Sequence, residues 1–253
     1  MGGELRSRWW LGLAYFVTLE VLLIGALAYW PQFSENLDKL RSLVPLPVLQ
    51  EMADEIEASG FPAYLAAQHF FKGAHSIGGL AAVLFAMFAV ALEVQRGTLE
   101  IWLARPLSRR RLFWERWVAG AFWLTVPVIA STLTVPLIGS FIEERVALWP
   151  LVLCAGYQSL FLLSIYAPTF LLSCWWANPL GIGFTMLLVA LFQMSLYLIE
   201  RVTHYSYFRL ADVRVMVEIY DTETLPAGFV AVLLALVALT TGLAWARFRR
   251  MSP

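Results

Sequence analysis

Apolar and polar positions divide the chain into six long apolar runs separated by charged or amphipathic segments. A helix of about 20 residues crosses the hydrocarbon core of a bilayer. Runs near Trp9–Tyr29, Ala74–Leu92, Leu112–Ile138, Trp149–Cys174, Pro179–Ile199 and Ala227–Ala246 all reach that length. In the second run Ala74, Gly78, Ala82 and Ala86 recur every four residues. Such a stripe lets another helix approach closely, so this face is expected against protein. Pro127, Pro136 and Pro168 lie inside the third and fourth runs and predict kinks, with the freed carbonyls satisfied by neighbouring helices.

Between the runs the pattern turns amphipathic. In the segment 30–73, Ser34 can cap a helix with Leu37, Leu40 and Val44 on one side. Pro47 can open another, carrying Val48, Leu49, Met52 and Ile56, which Gly60 would close. These helices are expected to lie on the outer leaflet; a lid over a substrate exit is the sharper alternative. In the segment 200–226, Val213, Val215, Val217 and Ile219 alternate like a strand, while Leu210, Val213, Val217 and Tyr220 make a helical stripe. A lone strand has no partner for its backbone, so short helices dipping partly into the membrane are expected.

Composition agrees with the pattern. Of 253 residues, 60% are hydrophobic and 14% charged, where a soluble domain carries about 25% charged residues. Together with the six runs this predicts an integral, multi-pass membrane protein with all-α architecture. The formal net charge is zero, but because the charges are sorted by side of the membrane this total says nothing about a nucleic-acid partner, and none is expected. Placing both termini in the cytoplasm puts Arg6, Arg8, Arg247, Arg249, Arg250 and the arginine-rich segment 93–117 on one side. Most acids then lie opposite, among them Glu51, Glu55, Glu143, Glu144, Asp212 and Glu218, as the lysine and arginine bias requires. Trp9–Tyr29 lacks a small-residue cleavage site and is expected to remain as a signal anchor.

The segment 93–117 holds Arg96, Arg105, Arg109, Arg110, Arg111 and Arg116, with Glu100 and Glu115 inside it. Gly97 can cap a short helix, with Glu100 three residues on where a carboxylate meets free N–H groups. Leu99, Trp102 and Leu103 give that helix an apolar face. Pro106 disfavours helical geometry at Arg105 and ends it. Ser108 can cap the apolar run that follows.

The same residues resemble the cytoplasmic loop of ABC-2-type transporter permeases. The pattern in that family is Glu, three residues, Gly-Thr-Leu-Glu, then Pro-x-Ser-Arg and a basic residue entering the next helix. Here it reads Glu93, Gly97-Thr98-Leu99-Glu100, Pro106-Leu107-Ser108-Arg109, with Arg116 at the final position. Arg105 departs from the small or apolar residue more usual there, and the amphipathic segment before the first run is cut to about Gly2–Arg8. The resemblance implies a coupling helix that docks on a separate ABC ATPase subunit. It makes Glu93, Gly97, Thr98, Leu99, Glu100, Arg105, Pro106, Ser108 and Arg109 the coupling residues. It further implies a prokaryotic inner or plasma membrane location and export powered by that ATPase. A second permease copy or a paralogue would complete the pathway, and ATP and its Mg would be held by the partner ATPase. Small members with a long first external loop also serve maturation of extracytoplasmic metalloenzymes, so a periplasmic accessory protein is a further partner on this reading.

Other chemistry is sparse. The two lysines, Lys39 and Lys72, follow no Gly-x4-Gly frame, so no P-loop can form and no catalytic site is expected. His69, His75 and His204 are scattered and give no metal-ligand spacing. Glu20 is the one carboxylate deep inside a run, where an acid costs about 3 kcal/mol, so it should face protein or water as a structural acid or a substrate contact. Glu93 is expected to pair with an arginine of the loop. The rival classes are a membrane scaffold that moves nothing and an ATP-independent carrier; a carrier should show paired broken helices or several buried charges.

Overall fold

The computed structural model describes residues 2–37, 47–99 and 108–251, and every regular element among them is helical. Helix α1 spans Gly2–Glu35 and α2 Pro47–Ser59. Helix α3 runs over Phe61–Met87 and the short α4 over Ala91–Gln95. Helix α5 covers Arg109–Gly139, prolonged by a 3-10 turn at Ser140–Ile142. Then come α6 (Leu148–Trp175), α7 (Pro179–Leu198), two 3-10 turns (Thr203–Tyr205 and Tyr207–Ala211), α8 (Val213–Thr222) and α9 (Ala227–Phe248). Six of these, α1, α3, α5, α6, α7 and α9, are long and apolar enough to cross a membrane. The chain is an all-α, six-span, multi-pass membrane protein.

Packing is centred on α6. It lies against α9, α5 and α3, while α1 packs on α5 and on the middle of α3. Over half of the most apolar stretch of α6 is buried (56%), against 11% for α7, whose Leu180, Phe184, Leu191 and Phe192 face outward. The small-residue stripe sits in protein: Ala74, Gly78, Ala82 and Ala86 are all buried. A Cβ on Gly78 would fall 2.6 Å from the Tyr15 hydroxyl and 2.8 Å from a Leu162 methyl, so glycine lets α1 and α6 close on α3 there. α5 runs unbroken through Pro127 and Pro136, and α6 through Pro168.

The second span differs from its expected limits at both ends. It starts at Phe61, not Ala74, because Gln68, His69 and Lys72 interrupt the apolar run while the helix continues. Much of this added part, Ala66–Ile77, is wound as a π-helix, a form rare beyond a single turn. His69 is buried there, 3.0 Å from the Thr132 hydroxyl of α5. At the other end α3 stops at Met87, and Leu92 belongs to α4. The first span likewise continues past Tyr29, through Pro31, to Glu35.

Away from the arginine-rich end, α2 and α8 form a cap. The amphipathic α2 has the expected limits, Pro47 opening it and Gly60 following in a left-handed conformation (φ 65°). Its apolar face does not rest on lipid alone: Val48 and Ile56 are buried, and α2 packs against the start of α3 and against α8. The expected helix with Leu40 and Val44 lies outside the described residues. Residues 213–219 are helical, not extended: Val213, Met216, Val217 and Ile219 are buried together, and Asp212 caps α8 by accepting the Val213 N–H at 2.7 Å.

Candidate functional site

The site is built where α3, α4 and α5 meet, on both sides of residues 100–107. Of the sequence-expected coupling residues, Glu100, Arg105 and Pro106 lie outside the described residues; Glu93, Gly97, Thr98, Leu99, Ser108 and Arg109 are placed. Glu93 is carried by α4. Its carboxylate pairs with Arg116 in the second turn of α5, whose side chain is wholly buried while that of Glu93 is 22% exposed. The same guanidinium donates through Nη1 to the Ala89 carbonyl at 2.9 Å. Ala89 falls in the break between α3 and α4, where its carbonyl is free to accept. One cation therefore satisfies the end of α3 and the carboxylate of α4, and the pairing expected of Glu93 is made with Arg116.

Gly97 closes a helix, while the short helix expected to start from it lies outside the described residues. Gly97 has φ 66° and follows Arg96, the C-cap of α4. The Thr98 N–H donates to the Glu93 carbonyl at 2.9 Å and the Gly97 N–H to the Val94 carbonyl at 3.1 Å. Those two bonds are the Schellman closure of a helix C-terminus, which needs a left-handed residue where Gly97 stands. Leu99 then enters the core, 5% exposed. At the far side of the segment Ser108 has extended backbone (φ −67°, ψ 138°), and its Oγ accepts the Arg111 N–H at 3.3 Å. This is the N-cap expected from the sequence. Arg111 is also paired with Glu115 at 3.0 Å, beside an open basic hollow lined by Ser108, Arg110 and Trp114.

Arg109 turns toward the bundle. Its Nη1 donates to the carbonyls of Arg249 (2.7 Å) and Met251 (2.6 Å), just beyond α9. Nothing in the sequence pattern signals this, because the acceptors are backbone groups. Further along α5, Phe113 is packed edge-on to Phe170, Trp245 and Phe248. Gly120 admits Tyr166, whose hydroxyl donates to the Trp117 carbonyl at 3.0 Å. Deeper still, Thr134 places its hydroxyl 3.2 Å from both carboxylate oxygens of Glu20 on α1. Glu20 is thus held by a neighbouring helix, far along the span from the Glu93–Arg116 pair. Through these contacts α5 touches α1, α4, α6 and the end of α9.

A family profile described as "ABC-2 family transporter protein" matches residues 2–252. The chain belongs to the ABC-2 transporter family. No curated protein matches it. As an ABC-2 protein it is a permease of an ABC transporter, a membrane subunit of a kind that is generally non-catalytic and works with an ABC ATPase. Within this ABC-2 chain the two helices flanking the arginine-rich segment are fastened to each other by a buried ion pair.

Proposed function

We propose that this chain is the exporting permease of an ABC-2 complex, and that the segment from Gly97 to Arg109 docks on a separately encoded ATPase in the cytoplasm. Both termini then lie on the cytoplasmic side, where Arg109, Arg110, Arg111, Arg247, Arg249 and Arg250 gather. ATP and its Mg are held by the ATPase. The bond set of Arg116 supports this assignment above all. Because one buried guanidinium grips both Glu93 and Ala89, a displacement of the docking segment reaches α3 and α5 together. A loop that only crossed the aqueous phase would have no need of a buried cation at its root. Six spans make half a pathway, and the sparsely covered α7 leaves a face open to a second copy or a paralogue.

The test is copurification of the ATPase with the tagged permease, together with ATPase stimulation in lipid. Changing Thr98 and Glu100 to alanine together should reduce ATPase retention about tenfold while the permease unfolds at its original temperature. Undiminished retention in that double variant would reject the docking assignment. A non-transporting scaffold predicts ATPase turnover indifferent to the permease.

A further inference from the structure

The first turns of α5 and the end of α9 are joined in two ways. Arg109 bonds two carbonyls beyond α9, at 2.7 and 2.6 Å. One turn on, the wholly buried Phe113 lies 5.3 Å from Trp245 and 5.6 Å from Phe248, centroid to centroid. The final carbonyls of a helix carry its negative pole, and a guanidinium is well matched to them. Such charge-assisted bonds are about twice as strong as neutral ones. Positions 109, 113 and 116 share one helical face, at spacings of four and three. The face that grips α3 and α4 through Arg116 therefore grips α9 through Arg109. Elsewhere α9 lies along α6, and only 22% of its most apolar stretch is buried.

We infer that Arg109 is a positioning residue that locks the end of α9 to the first turn of α5, so that α9 travels with the docking segment as one body. The inference deepens the docking assignment and, for transmission, rests on it. It also separates Arg109 from its neighbours in the motif: this side chain works inward, on the permease itself.

The lock is read by pulsed electron paramagnetic resonance between spin labels at Arg110→Cys and Arg247→Cys, two exposed positions, with the buried Cys154 and Cys174 replaced by alanine. A single narrow distance is expected in the purified permease, broadened about twofold by Arg109→Ala and less by Arg109→Lys. Deleting residues 249–253 removes both acceptors and should broaden it equally. In the ATPase complex each change should lower ATPase stimulation about two- to tenfold. Their combination should cost no more than either alone, because both remove the same contact. An unaltered distance in Arg109→Ala would overturn the lock. Multiplying losses would overturn it too, by giving Arg109 a contact with the ATPase. If the unmodified permease retains no ATPase, the docking assignment falls while the distances still decide the lock.

Discussion

The two ends of the bundle both use charge, in opposite styles. At the basic end Arg116 is wholly buried, and its partners include one carboxylate and one carbonyl. At the cap, Arg209 and Arg214 share Glu51 at 3.6 Å each, and Arg214 reaches Glu55 at 3.7 Å, with side chains between 26% and 51% exposed. Of the described charged groups there, Asp212 is the buried one; it accepts from Tyr197 at 2.8 Å and from Arg209 at 2.6 Å. A buried cation stripped of its partner is expensive, whereas exposed pairs contribute little and are screened by salt. The basic end is thus built to move as a block, and the cap to loosen in small steps.

The largest effect that would test this contrast is at Arg116. Arg116→Ala leaves Glu93 and the Ala89 carbonyl without their donor, and should cost about 3 kcal/mol or more in thermal or denaturant unfolding of the detergent-solubilised protein. Arg116→Lys should recover only part, since an ammonium lacks the fork that reaches both acceptors. A loss below about 1 kcal/mol would erase the distinction between the two ends. Next comes Gly97→Ala, which forces a left-handed backbone on a residue with a Cβ and should cost about 1 kcal/mol. That loss would be felt at the closure of α4 while the Arg116 pair persists. Smallest is Arg214→Ala at the cap, about 0.5 kcal/mol or less and fading as salt rises. A salt-independent loss there as large as that of Gly97→Ala would mean that the cap, too, is held rigidly by its charges.

Much of this was legible in the sequence, for reasons that differ by element. Spans declare themselves by apolar length, and α5, α6, α7 and α9 start and stop within a few residues of their expected limits. The first half of α3 did not, because Gln68, His69 and Lys72 break the run although the Thr132 hydroxyl makes a place for His69 in the interior. The stop at Met87 has no proline or glycine to announce it; Arg116, distant in sequence, takes the carbonyl exposed there. At the site, Ser108 behaved as a local rule says an N-cap should. Gly97 closes α4, which the pattern alone does not reveal, since a glycine between two helices can close one or open the next; the short helix expected after it lies outside the described residues. The bond of Arg109 to α9 was invisible because carbonyls have no letter in the sequence.

The lengths of the spans carry one more implication. α7 has 20 residues and reaches about 30 Å, one hydrocarbon thickness. The helical stretch Arg109–Ile142 has 34 residues and reaches about 51 Å. A membrane that fits α7 is too thin for that longer rod, which must lean or protrude. Lipid chains a few carbons longer or shorter should therefore change the lean of α5 before they disturb anything else, and bilayer thickness becomes a mechanical input to this protein.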